Sequence, residues 1–93
     1  MTDHFRIARR LPWTGPEGYP CYLLTDGTGP LSRLADTIET KQLEMAKQLL
    51  AHADDLLADP GSTSDQLRYL LTCMRDALTD VHRIALDRLI ASP

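Results

Sequence analysis

Disulfides, zinc fingers and membrane spans all need residues that this chain has little of. Its two cysteines, Cys21 and Cys73, form no CxxC pair and are too few for a disulfide framework, so reduced thiols are expected. His4, His52 and His82 are scattered, and none stands four residues from another candidate ligand on a shared helical face, so no metal and no cofactor is expected. No apolar run approaches the roughly 20 residues of a membrane span. Residues 1–10 also lack the apolar centre of a secretory signal, so a cytoplasmic protein with no membrane partner is expected. A net charge of −3 is too mild for a domain that grips nucleic acid by overall charge. Aromatics make up only 5% of the chain. Phe5, Trp13, Tyr19 and Tyr22 precede residue 30, which leaves the remainder to pack almost wholly through aliphatic side chains.

What the chain does have is two long amphipathic stretches, residues 31–58 and 64–91, separated by the breaker run Asp59-Pro60-Gly61-Ser62-Thr63. Successive residues of a helix are 100° apart, and on that phase Leu31, Leu34, Ala35, Ile38, Leu43, Met45, Ala46, Leu49, Leu50, Ala53, Leu56 and Leu57 share an arc of about 180°. Asp36, Thr40, Lys41, Glu44, Lys47, Gln48, Asp54 and Asp55 take the other side. Pro30 suits a first helical position, and Ser32 or Thr28 is a candidate cap. Gln42 interrupts the apolar arc near its middle. It either fixes register across an interface or bonds backbone or water in a wet seam, with Glu39 as its neighbour at the flank.

The second stretch opens on Thr63-Ser64-Asp65-Gln66, the Thr-x-x-Gln spacing of a capping box. Its apolar residues repeat every seven: Leu67, Met74 and Val81 form one row, Leu70, Ala77 and Ile84 a second, and Leu71, Leu78 and Ala85 a third. That is the broad stripe of a bundle helix. Arg88 interrupts the first row where it favours the negative end of the helix dipole. Arg83 and Asp87 make an i, i+4 pair worth a few tenths of a kcal/mol. Arg68, Arg75 and His82 flank the stripe, with the acids Asp36, Asp54 and Asp55 of the other helix as their ordinary partners.

Residues 1–29 are punctuated by Pro12, Pro16, Pro20, Gly15, Gly18, Gly27 and Gly29, which rule out helix over most of that length. Residues 21–25 read as a short strand bounded by the Asp26-Gly27 turn, with residues 5–11 as its partner. A lone two-stranded ribbon is marginal in water, so this one is expected to lie on the helices through Trp13, Tyr19, Tyr22 and Leu24. Asp26-Gly27-Thr28-Gly29 has some of the look of a phosphate-cradling loop. Its plainer reading is a turn that leads into the helix.

The fold class expected is mainly α: an antiparallel two-helix hairpin in one domain, 1–93, with an irregular N-terminal segment holding a short β ribbon. Two helices 8–10 Å apart hide only a narrow seam, and both apolar arcs are wider than that. The excess predicts a homodimer forming a four-helix bundle, or a groove for an unidentified protein partner. Leu34, Ile38, Gln42, Met45, Leu49 and Leu56 of the first helix are the interface candidates, with Leu70, Met74, Val81 and Ile84 of the second. The function expected is a non-enzymatic interaction or regulatory role. The alternative is a nucleic-acid-associated or transcription accessory protein: residues 1–10 carry +2 and the remainder −5, and Arg6, Arg9, Arg10, Arg68 and Arg75 are the candidate anion contacts. A small helical enzyme ranks third, with no catalytic residue to name.

Two resemblances bear on these readings. Leu31-Ser32-Arg33-Leu34-Ala35-Asp36 is similar to the opening of the first helix of small helical chorismate mutases. Their site needs several inward cations, however, and the inward arc of this helix carries Gln42 and Glu39 but no Lys or Arg. Residues 13–23 with 32–36 resemble a recurring pattern in small uncharacterised actinobacterial proteins, and the use of eight arginines to two lysines agrees with a high-GC genome. That resemblance implies a source and a cytoplasmic setting, with no activity attached.

Overall fold

A computed structural model describes residues 7–91. In order the chain forms strand β1 (Ile7–Thr14), a 3-10 turn (Pro16–Gly18), strand β2 (Pro20–Thr25), helix α1 (Pro30–Ala58) and helix α2 (Ser64–Ala91). The protein is mostly helical with one two-stranded antiparallel ribbon. No helix among the described residues is long and apolar enough to cross a membrane. His4, Phe5 and Arg6 lie outside the described residues.

Backbone chemistry sets the helix boundaries. Gly29 precedes α1 at φ 108, a region open to glycine and costly for other residues, and Pro30 follows with its φ already helical. Neither Thr28 nor Ser32 caps this end. Thr28 instead bonds back to Asp26 Oδ1 through its backbone N–H at 3.0 Å and its hydroxyl at 2.7 Å, and Ser32 is buried under the ribbon. At the far end Asp59 Oδ1 accepts the Gly61 N–H at 2.8 Å, and the Ser62 hydroxyl donates to the Leu56 carbonyl at 2.8 Å. The capping box of α2 is present in both directions: Thr63 N–H donates to Gln66 Oε1 at 2.8 Å, and Gln66 N–H donates to Thr63 Oγ1 at 3.1 Å.

The two helices meet along a thin seam. From α2 the row Leu70, Ala77 and Ile84 is buried, while α1 supplies buried Ala35 and Ala53. Gln42, Ala46, Leu49 and Leu56 are half-buried beside them. Alanine at the centre permits close approach but contributes little apolar area. Leu11 of β1 is the remaining buried apolar residue. The described core is therefore six residues, three of them alanine.

The ribbon differs from the sequence expectation in extent and orientation. β1 runs three residues past Leu11, and its register with β2 shifts between Arg10↔Tyr22 and Thr14↔Pro20. Pro12 explains the irregularity, because it has no N–H to donate to a ladder. Paired residues of an antiparallel ribbon share a face. Arg9 and Leu23 therefore lie with Thr25 toward the helices, and Ala8, Arg10, Tyr22 and Leu24 lie on the other side. Tyr22 and Leu24 are 63% and 62% exposed, and Tyr19 is exposed as well. These three are not the anchors expected of them. Buried Leu11 and Thr25 hold that role, and Trp13 is only half-buried.

Candidate interaction surface

Where the ribbon meets the helices, two arginines converge on one buried carboxylate. Arg9 of β1 donates to Glu39 Oε1 at 3.2 Å, to Asp36 Oδ1 at 2.7 Å and to the Ser32 carbonyl at 3.1 Å. Arg83 of α2 donates to Glu39 Oε2 at 3.1 Å, to Asp87 Oδ2 at 2.8 Å and to Gln42 Oε1 at 3.2 Å. The Glu39 side chain is only 8% exposed, and Arg83 and Arg9 are 11% and 18% exposed. Each oxygen of Glu39 thus ties down a different element. Beside it the hydroxyls of Thr25 and Ser32 bond at 2.9 Å in a buried contact.

This cluster changes three sequence readings. The Arg83–Asp87 pair extends beyond one helix to bridge α2 to α1. The wet-seam reading of Gln42 gives way to a defined donor, Arg83. Inward cations do exist, arriving from β1 and α2 rather than from α1, but three carboxylates already bond them. An open groove of about 710 Å³ runs along this junction, lined in part by Arg9, Arg10 and Arg88 and by Asp36, Glu39 and Asp87. Its balanced charges give no net attraction for an anion.

The remaining candidate anion contacts are dispersed. Arg75 pairs with its sequence neighbour Asp76 at 3.1 Å, both highly exposed, rather than with an acid of α1. Asp36 is held by Arg9. Arg68 and His82 are exposed on α2, and Arg10 is half-buried at the edge of the groove beside the ribbon. The Asp26–Gly29 loop satisfies itself: its Asp26 carboxylate accepts from Thr28, and Thr25 Oγ1 accepts the Gly27 N–H at 3.0 Å.

The largest unassigned feature is apolar surface. Of the interface candidates, Leu70 and Ile84 are buried in the hairpin's own seam. Ile38, Gln42, Leu49, Leu56, Met74 and Val81 are half-buried at its margins, and Leu34 and Met45 are exposed. The more exposed leucines occupy neighbouring rows. On α1, Leu43, Leu50 and Leu57 repeat every seven residues, and Leu50 and Leu57 are 60% and 80% exposed. On α2, Leu71 and Leu78 are 70% and 68% exposed. These rows stand about 40–120° to the same rotational side of each helix's seam line. Because the helices are antiparallel, equal rotation on both brings the rows to one face of the hairpin. Sequence periodicity found all of these leucines, and the excess of the apolar arcs over the seam that it predicts is the exposed rows seen here.

No protein-family model, curated protein or solved structure matches this chain.

Proposed function

We propose that this chain is a non-enzymatic interaction protein that works as a homodimer through its apolar helical faces. The observation that carries this reading is the imbalance between a six-residue core and the exposed leucine rows beside it. Area points the same way. The chain exposes 7477 Å², whereas a compact monomer of 10.4 kDa exposes about 5400 Å². An elongated hairpin exposes more than a compact domain of its mass, and among the described residues the leucine rows are a large apolar part of what it exposes. Arg9 and Arg83 are bonded within the fold, which takes both out of any anion contact.

Gel filtration with light scattering at tens of micromolar tests the reading. A mass of twice 10.4 kDa is expected. Leu78→Glu places a charge on the exposed row and should shift the population toward monomer. A wild-type chain that stays monomeric at that concentration removes the proposal. A gel-retardation titration at low salt addresses the nucleic-acid alternative: no shift is expected, and a salt-sensitive shift lost in Arg10→Ala would revive it.

A further inference from the structure

On the homodimer reading above, we infer that the second copy packs upside down on the leucine face, with a two-fold axis passing beside Leu50 and the two ribbons at opposite ends. Asp36, Leu43, Leu50 and Leu57 repeat every seven residues along α1 and share one side of it. Arg9 of the ribbon grips the first member, Asp36, at 2.7 Å. The ribbon therefore lies at the base of the same side of α1 that carries the exposed leucines. The turn-proximal part of that face, from Leu43 to Leu57 and from Leu71 to Leu78, is left uncovered.

Steric layering then selects the orientation. Bundle helices pack 8–10 Å apart, and each layer of sheet adds about 10 Å. Were both ribbons at the same end, they would meet first and hold the helices apart at their base. With the ribbons at opposite ends, each lies near the partner's helix turn, and the uncovered leucines meet directly. An axis at Leu50 sets Leu43 of one copy against Leu57 of the other.

Charge complementarity fixes the same register. Lys47 and Asp54, both exposed, stand three and four residues on either side of Leu50 along the polar edge of the row. A two-fold axis at Leu50 places Lys47 of each copy opposite Asp54 of the other, so the pair forms twice. A shift of one heptad in either direction breaks both pairs.

Cysteine cross-linking in the full chain with Cys21→Ala and Cys73→Ala tests the arrangement. Leu50→Cys should oxidise to a covalent dimer, because its two copies face each other across the axis. Leu57→Cys alone should not, since its copies lie about 21 Å apart along the bundle, beyond the 7 Å Cα limit of a disulfide. Mixing Leu43→Cys with Leu57→Cys protein should restore the cross-link. Independently, Lys47→Asp should weaken dimerisation about tenfold and added Asp54→Lys should recover it, with helical circular dichroism unchanged. A dimer in light scattering in which Leu57→Cys links to itself, or Leu50→Cys does not, overturns this geometry and leaves the homodimer standing. A strict monomer overturns both.

Discussion

At the residue scale, Glu39 has the most consequential surroundings in the molecule. A carboxylate this shielded from water is stable as an ion only where cations and donors replace its hydration. Arg9 and Arg83 do so, one at each carboxylate oxygen. Removing one member of such a cluster leaves buried charge uncompensated, at a cost of several kcal/mol in the worst cases. Here Asp36 and Asp87 remain to neutralise the arginines, so Glu39→Ala is expected to cost about 2–3 kcal/mol. The measurement is the urea midpoint at constant slope, and a change below about 0.5 kcal/mol would show that the cluster contributes little. Arg9→Ala separates the two halves of the cluster. It should alter Trp13 fluorescence by loosening β1, while far-ultraviolet circular dichroism keeps its helical signal. The sequence held every member of this cluster but not their meeting, since Arg9, Glu39 and Arg83 come from three elements and their long side chains reach across phases that a helical wheel treats as separate. Arg83–Asp87 therefore read as a surface pair of small value.

Element by element, legibility in the sequence follows how local the determining physics is. Both helices were readable from period and punctuation, and α2 from a capping box whose two hydrogen bonds form between residues three apart. Gln66→Ala breaks one of those bonds and should lower stability by about 0.5–1 kcal/mol, read as a fall in thermal midpoint. Gly29→Ala places a Cβ at φ 108 and should cost about 1 kcal/mol or more, although nothing crowds the position. If it is neutral, the N-terminal boundary of α1 does not depend on that backbone conformation. The ribbon was legible only in part. Its turn residues and the strand 21–25 follow from proline and glycine, but which side faces the helices depends on tertiary partners. Alternation alone made Tyr22 and Leu24 the natural anchors. The Arg9 cluster and the Thr25–Ser32 contact turn the opposite side inward.

For the whole molecule, the question is what stabilises a chain with so little interior. Its radius of gyration is 17.2 Å, against about 12 Å for a compact domain of this length. Alanines at the seam contribute little transfer free energy, while each ordered residue costs conformational entropy. In the proposed homodimer, burial against a second copy would supply the missing area without altering the hairpin and would couple folding to association. Stability would then depend on protein concentration, which a self-sufficient monomer does not show. Each tenfold increase in concentration adds about 1.4 kcal/mol per dimer. Spread over the unfolding entropy of two chains, that raises the thermal midpoint by about 4 °C. Calorimetry between a few micromolar and a few hundred should therefore show two such steps. Leu78→Glu should lower the midpoint most at the concentrated end, where the proposed dimer would dominate. A midpoint that stays flat across that range would mean that the thin seam and the Glu39 cluster suffice, and that the exposed leucines do not contribute to folding.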